Sequence, residues 1–410
     1  MVYDNYDRPD VFTEIKQFLP ENGRGGIVFT SRHEATKVLG RHVQVPSMMD
    51  DGGIELLLRD MSGEEIESNR IHGGDIVRRL GGLALAIEQA AAYISFNQMA
   101  LPDFIDGYER KKAKVLKYMR EELWEYQKLR DGSEQSEALN AFTTWEMSFE
   151  QVERRDEARK DHITRFLNVA AFLEPSHIGS YLFETYVAEE DEPFPWLDIF
   201  RRQRSLSDEE TDSDTDSDTD QASITHKGEQ TSWSADQFWS TIERLRRLSL
   251  VQSIEKKPAV WFSIHPVISD WLQLRERKRS TREKILRETI GLLSVVVEST
   301  FAEVADASKR QQFLAHLDSC QTGSRHIKLP RFLGCAEMRK ETNSFGRFYQ
   351  NQGKYDRSEE LYEALLKEDR HSLDESDRKL LQSMANLAST YMNQGRWKEA
   401  EELEVQVMET

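Results

Sequence analysis

The sequence has few cysteines and no long apolar run, and both absences exclude classes of protein. Cys320 and Cys335 are the 2 cysteines among 410 residues, too few for a disulfide framework or a metal site, which is typical of a reducing cytoplasm. The longest apolar run, residues 291–297, is interrupted by Ser294, whereas a membrane span needs about 18 apolar residues. No basic stretch followed by an apolar one opens the chain, so we expect neither a secretory signal nor a membrane anchor.

Motifs for hydrolysis, metal binding and nucleotide binding are also missing. The sequence contains no Gly-x-Ser-x-Gly, no His-Glu-x-x-His and no paired-cysteine spacing, and its 10 histidines form no cluster at ligand spacing. A phosphate loop needs Gly-x-x-x-x-Gly-Lys-Ser/Thr, because backbone N–H groups wrap the phosphates and the lysine neutralises them. No such motif occurs, and the glycine-rich run at residues 23–26 precedes a predicted strand instead of a helix. The sequence therefore predicts no enzyme, and a hydrolase stays an alternative without a motif.

Acidic residues are in excess, which bears on the partners of the protein. The 73 Asp and Glu against 55 Lys and Arg give a net charge of −18, and this charge argues against binding to nucleic-acid phosphates. A run of acids with no apolar residue, DEETDSDTDSDTD, covers residues 208–220. Such a run cannot bury surface and repels itself, so we predict a disordered acidic insertion at 203–232. Phosphorylation of Ser207, Ser213 or Ser217 is the alternative use of this segment.

A sequence repeat with a period of 42 residues occupies the last part of the chain. Asn-Gln-Gly-Lys-Tyr at 351–355 returns as Asn-Gln-Gly-Arg-Trp at 393–397, and the similarity extends outward on both sides. Gly346 and Ala388 are small residues that let a paired helix approach, whereas Gly353 and Gly395 fall where two helices join and a left-handed backbone costs glycine nothing. A fixed period of this kind predicts an α-solenoid.

Both segments resemble the tetratricopeptide repeat (TPR), since Phe-Gly-x-x-Tyr and Leu-Ala-x-x-Tyr follow its Leu-Gly-x-x-Tyr element. The period exceeds the usual value of about 34 and resembles the kinesin light chain type, with a longer connection at about Asp369–Asp377. The resemblance implies a surface for proteins or peptides, with self-association as a further use. The candidate partner-binding residues are Tyr349, Asn351, Tyr355, Tyr391, Asn393 and Trp397. Two unrelated helical hairpins are the alternative interpretation.

The first residues of the chain are typical of an α/β fold. The run GGIVFTSR at 25–32 is β-branched and aromatic, is entered from glycines, and leaves into polar residues. It predicts a buried parallel strand, and ligands of open α/β sheets bind at the carboxyl ends of such strands. A short apolar run opens the chain, and Asp10–Phe18 predicts the helix that connects the two strands.

Three segments together resemble NB-ARC-type signal-transduction ATPases, particularly the fungal kind that carries tetratricopeptide repeats. These segments are Asp4-Asn5 at a strand end, Ile-Val-Phe-Thr-Ser-Arg at 27–32 and Leu-Gly-Gly-Leu-Ala-Leu-Ala at 80–86. The resemblance implies that Asp4, beside Asn5, closes the Walker B strand and holds Mg²⁺, and that Arg32 senses the terminal phosphate. It implies further that the adenine packs against the helix start at Gly82, Leu83 and Ala84, where Ala84 replaces the family's proline.

The resemblance extends to a winged-helix portion and to one histidine within it. Ile264-His265-Pro266 stands where the family has Met-His-Asp, whose histidine contacts the β-phosphate of ADP and keeps the protein closed. Pro266 removes the acid of that motif. Without the family order, His265 is interpreted as a satisfied core histidine and Arg32 as an ordinary arginine at a strand end.

The sequence thus predicts a multidomain, mainly α protein with a partial α/β nucleotide-binding remnant, helical and winged-helix segments and a C-terminal TPR α-solenoid. The predicted domains are a partial NB-ARC α/β core at 1–60, a helical ARC-like segment at 61–135, a winged-helix-like domain at 136–275, a helical linker at 276–340 and TPR repeats at 341–410. We expect an NLR-like signalling scaffold, truncated at both ends, whose ADP/ATP switch is incomplete. The chain as given then has no cofactor, whereas the intact family uses ATP or ADP with Mg²⁺. A plain TPR adaptor with no nucleotide role is the alternative.

Overall fold

The computed structural model is mainly helical and divides into two compact units. One unit comprises Met1–Gln151 with Arg247–Ser249, and the other comprises Val152–Arg246 with Leu250–Thr410. The structure describes residues 1–3, 6, 15–19, 25–31, 34–43, 45, 47–48, 51–118, 135–155, 159–201, 233–252, 254–256, 259–276, 278–300, 307–323 and 332–409. The predicted acidic insertion, its three serines, Asp4, Asn5 and Arg32 lie outside the described residues.

The first unit contains a pair of short parallel strands, β1 (Val2–Tyr3) and β2 (Val28–Phe29). The rings of Tyr3 and Phe29, which lie opposite each other, stack with their centroids 4.9 Å apart. The predicted parallel direction is therefore confirmed. The prediction of a buried strand is wrong, because Val28 is 54% exposed. A β-branched composition indicates a strand but not its burial. Burial requires other elements to pack over the strands, and strands of two residues each offer little surface for such packing.

Among the described residues, five helices follow these strands along the chain. They are α1 (Asp51–Leu57), α2 (Gly63–Arg79), α3 (Ala84–Asn97), α4 (Leu101–Tyr118) and α5 (Gln135–Arg155). Leu58, Val77, Ile87, Phe104 and Met147 share one core cluster, and each is at most 4% exposed. Helix α1 packs against both α2 and α3, so helices on both sides of residue 60 contribute to this core.

A buried amide group ties the returning segment 247–249 to the first unit. Gln89 on α3 is fully buried, and its Nε2 donates to Ser148 Oγ at 2.7 Å and to the Leu248 carbonyl. Because an unpaired buried amide costs about 1–3 kcal/mol, these acceptors matter to the stability of the core. Leu248 therefore belongs to the first unit, although the continuous part of that unit ends at Gln151.

The second unit begins with helices around a small antiparallel sheet. The helices are α6 (Lys160–Ala170), α7 (Tyr181–Glu189), α8 (Ala235–Arg247) and α9 (Pro266–Arg275), and the strands are β3 (Ile178–Gly179), β4 (Ile254–Glu255) and β5 (Trp261–Phe262). Strand β5 lies between β3 and β4 and is antiparallel to both. The ring of Phe166 on α6 lies within 6 Å of the rings of Phe183, Phe200, Phe238 and Phe262, measured between centroids.

Six further helices lie in the described part of the second unit. They are α10 (Arg279–Thr300), α11 (Ala307–Gly323), α12 (Arg339–Asn351), α13 (Tyr355–Ser372), α14 (Arg378–Asn393) and α15 (Trp397–Glu409). A two-bond ion pair anchors α10 to α6, since Arg165 donates to both carboxylate oxygens of Glu288 at 2.6 and 2.8 Å. The indole N–H of Trp196 donates to the same carboxylate at 3.1 Å. No helix in the described ranges is long and apolar enough to cross a membrane.

Helix α11 carries a histidine that the fold keeps neutral. His316 is 1% exposed, and its Nδ1 accepts a hydrogen bond from the Glu174 backbone N–H at 3.1 Å. Burial, and secondarily the charge of His177, lowers the pKa of His316 from 6.5 to about 4. The lone pair at Nδ1 is needed for this contact, so a second proton would break it.

We expect His316 to make the protein less stable in acid. The unfolded chain takes up a proton near pH 6.5 and the folded chain only near pH 4, so the contribution of His316 to stability is complete above pH 6.5 and is lost as the pH falls from 6.5 towards 4. The loss amounts to about 1.4 kcal/mol per pH unit in that window. The variant His316→Asn, whose side-chain oxygen can replace Nδ1 as acceptor, should show a shallower decline in urea unfolding between pH 6.5 and 4.5. The same substitution at the exposed His72 is the control, and an equal effect there would contradict this role of burial.

Candidate functional site

The last four helices form two helix pairs whose turns have the same backbone geometry. Gly353 has φ +68° and Gly395 has φ +79°, so both adopt the left-handed conformation that the repeat predicted. The following residue in each turn donates its N–H back to the tyrosine of the first helix. These hydrogen bonds join Lys354 to Tyr349 and Arg396 to Tyr391, each at 2.9 Å. The repeat is therefore confirmed at the level of the turn.

Close packing explains the small residues of the repeat. A Cβ added to Gly346 would lie 2.3 Å from the ring of Tyr362, so only glycine lets α12 and α13 approach this closely. Ser358 and Ala400, at equivalent positions of the second helices, are 0% and 2% exposed. Both pairs of helices thus pack through side chains too small to hold them apart.

A buried carboxylate joins three of the four helices. Asp369 on α13 is 0% exposed and accepts two hydrogen bonds from the guanidinium of Arg339 on α12. It also accepts one from Ser383 Oγ on α14 at 2.6 Å. The hydrogen bonds to Asp369 raise the pKa of Arg339 above its usual range. We call Arg339, Asp369 and Ser383 the buried ion-pair network.

The network corrects the predicted connection at Asp369–Asp377. Helix α13 continues to Ser372, and α14 begins at Arg378, so the extra residues of the long period lengthen the helix that carries Asp369. Asp377 instead caps α14, because its carboxylate accepts from the Lys379 N–H at 2.8 Å. Aspartate is common in turns, which is why a connection was predicted from the sequence. At Asp369 a buried ion-pair partner outweighs that preference.

A row of side-chain amides runs between the first helices of the two repeats. The Asn386 amide on α14 donates to Asn343 Oδ1 on α12 at 3.0 Å and accepts from Gln382 at 3.0 Å. Gln350 Nε2 donates to Thr390 Oγ1 at 2.6 Å. We call Asn343, Gln350, Gln382 and Asn386 the amide ladder. Such groups both donate and accept, so they can pair with the backbone of an extended peptide.

A groove of about 520 Å³ lies among the helices α13, α14 and α15. Its base is apolar and is formed by Leu366, Leu387, Tyr391 and Leu403, each at most 8% exposed. Polar side chains border this base, and they are Glu363, Lys367, Arg370, His371, Glu399, Glu402 and Gln406. We call this the α13–α15 groove. It combines an apolar base with charged walls, as binding grooves commonly do.

The predicted partner-binding residues divide into packing residues and accessible ones. Tyr349 is 2% exposed and Tyr391 8%, so the structure places both rings inside the repeats. The guanidinium of Arg396 covers the ring of Tyr391 at 4.1 Å, and the Tyr391 hydroxyl donates to Glu363 at 3.1 Å. Tyr355 is half-buried. The accessible members are Asn351, Asn393 and Trp397, of which Trp397 is 66% exposed.

The residues assigned to a nucleotide by resemblance have local structural partners. The Gly82 carbonyl accepts from the Met48 N–H at 2.7 Å, Leu83 caps α3, and Ala84 is the exposed first residue of that helix. That first position accepts proline without loss of a hydrogen bond, so alanine there preserves the helix start.

His265 caps α9 in the second unit, and its Nδ1 accepts from the Val267 N–H at 3.2 Å. The residues alone favoured a satisfied core histidine, whereas the structure places a half-buried ring at the start of a helix. Asp4, Asn5 and Arg32 lie outside the described residues, and Gly82–Ala84 belong to the first unit. Among the described residues no group of three or more His, Cys, Asp or Glu side chains could hold a metal ion.

Comparison with known proteins identifies the repeats. A family model of the tetratricopeptide repeat matches residues 339–410, which are the helices α12–α15. A protein of Hyaloscypha variabilis described as a nucleotide-binding leucine-rich repeat (NLR)-like protein is 31% identical over 98 residues. The aligned segment is 23% of this chain and 10% of that relative, so the match spans about a tenth of the relative's length. The C-terminal helix pairs are therefore tetratricopeptide repeats, a class of module that mediates protein–protein interaction.

We expect Asp369→Ala to destabilise the repeats by about 3 kcal/mol, because it leaves the Arg339 charge partly buried without its partner. Hydrogen exchange measured across residues 339–409 should rise most in α14, which loses its contact through Ser383. The matched control is Glu360→Ala on the same helix, whose partner Arg357 and own side chain are about half exposed. Exposed pairs contribute at most about 1 kcal/mol, so equal exchange in the two variants would contradict a special role for Asp369.

Proposed function

We propose that this chain is an interaction scaffold of a signalling protein, and that its tetratricopeptide repeats bind a protein or peptide partner. The amide ladder carries this proposal, because it places side chains that can both donate and accept hydrogen bonds in one row on neighbouring helices. The exposed Trp397, Asn351 and Asn393 add contacts at the repeat turns. The repeat match supports the interaction role, and the NLR-like relative supports the signalling context.

The proposed architecture includes a winged-helix domain in the part that begins the second unit. The element order α6–β3–α7–α8–β4–β5, helix–strand–helix–helix–strand–strand, and the sheet order β3–β5–β4 support this assignment. The two parallel strands of the first unit support a partial α/β nucleotide-binding core in the same way. An NB-ARC-type origin, with kinesin-light-chain-like repeats, accounts for this combination of modules.

The proposed nucleotide switch is incomplete. No phosphate-loop sequence occurs, and the His265 ring already accepts a hydrogen bond from the backbone of its own helix. One charge-assisted contact to phosphate contributes about 1.5–3 kcal/mol, whereas micromolar affinity needs about 8 kcal/mol. A plain adaptor without a nucleotide role is the second candidate function, and the capping geometry of His265 favours it.

Calorimetric titration with ADP and Mg²⁺ tests the incomplete switch. We expect no binding tighter than about millimolar, because the contacts that the chain supplies are too few to reach the free energy that micromolar affinity requires. Titration of His265→Ala is the companion measurement. If the unmodified chain binds ADP with a micromolar dissociation constant, and this constant rises in the variant, the nucleotide switch is functional and the plain adaptor is rejected.

Peptide selection tests the interaction role directly. Dodecapeptides selected by phage display on the full chain should include binders whose affinity falls about tenfold with Asn386→Ala, since a lost hydrogen bond costs about 1.5 kcal/mol. Affinity is measured by fluorescence polarisation of the labelled peptides. The control is Asn69→Ala, a half-buried asparagine on α2 that bonds only within its helix. Binders that respond equally to both substitutions, or to neither, would reject the amide ladder as the binding surface.

A further inference from the structure

Charge is divided unevenly between the first and the second helices of the two repeats. The first helices are poor in acids, because α14 contains no Asp or Glu and Glu341 is the one acid of α12. Acids follow one another closely along the second helices, α13 and α15. In a chain with a net charge of −18, the helices that carry the amide ladder therefore have a local excess of cations.

Arg347 is an exposed cation on the ladder side of α12. It follows Asn343 by four residues and precedes Gln350 by three, so the three side chains share one face of the helix. Asn343 bonds to Asn386 and Gln350 bonds to Thr390, both on α14. Arg347 thus stands between two hydrogen bonds that join the neighbouring helices.

The guanidinium of Arg347 pairs with no carboxylate among the described residues. Glu341, the acid of the same helix, is two positions from Asn343, a spacing that does not bring side chains together. Lys340 is a second cation of this face, and its ammonium group pairs with Glu298 on α10 at 3.6 Å. Arg347 therefore keeps its charge available beside a row of uncharged amides.

We propose that the partner at the amide ladder is an extended peptide with an acidic side chain, whose carboxylate pairs with Arg347 while the ladder bonds the peptide backbone. This inference rests on the function proposed above and adds the chemistry of the partner. A guanidinium and a carboxylate can form two parallel hydrogen bonds, so Arg347 fixes the position of one residue of the peptide. A basic peptide would instead bring a like charge to Arg347.

A peptide with few acids fits this face better than a polyanion does. Binding of a nucleic-acid backbone depends on several cations that neutralise its phosphates, whereas Lys340 is already paired and the second helices are rich in acids. The net charge of −18 also repels a polyanion at long range. One or two carboxylates among uncharged residues form the ion pair at short range and limit that repulsion.

Exchange of charge between Arg347 and the peptide tests this inference. The probes are dodecapeptides selected by phage display on the full chain, and only those that lose affinity with Asn386→Ala are used, because they bind at the ladder. Each should contain an Asp or Glu whose replacement by its amide weakens binding about threefold in fluorescence polarisation. Arg347→Glu should weaken the same peptides about tenfold. Lysine in place of the peptide's acid should restore binding to this variant, and a variant that fails to fold could not show such restoration.

The control is Arg110→Glu, which replaces an exposed arginine on α4 in the first unit and changes the net charge equally. We expect this control to bind the peptides as the unmodified chain does, and an equal loss of affinity in it would overturn the inference. Ladder binders without an acid, binders that tolerate Arg347→Glu, or a loss that lysine does not restore would reject the acidic partner and leave the proposed function standing. Displacement of the peptides by an equal concentration of oligothymidylate would indicate a general anion site and would also reject it. If no selected peptide responds to Asn386→Ala, the proposed function fails and this inference fails with it.

Discussion

The C-terminal repeats depend on one buried carboxylate. Asp369 has no exposed surface, and a charge in that position is tolerated only with a countercharge and hydrogen-bond donors around it. Arg339 and Ser383 supply both, and because they come from two other helices, they fix how the second helix pair sits on the first. Hydrophobic contacts alone tolerate sliding between helices more easily than such a directional contact does. The ion-pair network therefore sets the register of the array.

The amide ladder and the α13–α15 groove both inherit their geometry from that register. The amide ladder joins α12 to α14, and the groove takes its apolar base from α13, α14 and α15 and its polar walls from α13 and α15. Helix α14 is common to the two, and Ser383 is its link to the network. A change that shifts α14 would therefore alter both surfaces.

A feature of the fold or of the site could be predicted from the sequence when it depends on residues that are neighbours in the chain. The turn glycines and the small residue at 346 were predictable, because positive φ and close helix approach leave marks in the sequence itself. The parallel direction of β1 and β2 was predictable from chain order, but their burial was not, since it depends on what covers them. Asp369 was assigned to a connection because nothing nearby in sequence identifies Arg339 as its partner. The amide ladder was missed for the same reason, although amides four residues apart, Gln382 and Asn386, were a signal.

The hydrogen bond from Gln89 to Leu248 has a consequence for the order in which the chain folds. The ribosome releases the chain from the N-terminus, so the first helical core emerges with its buried glutamine bonded to Ser148 but without its second acceptor, the Leu248 carbonyl. The intervening residues 152–246 must be synthesised before that acceptor exists. The earlier core is consequently completed by a later segment of the chain.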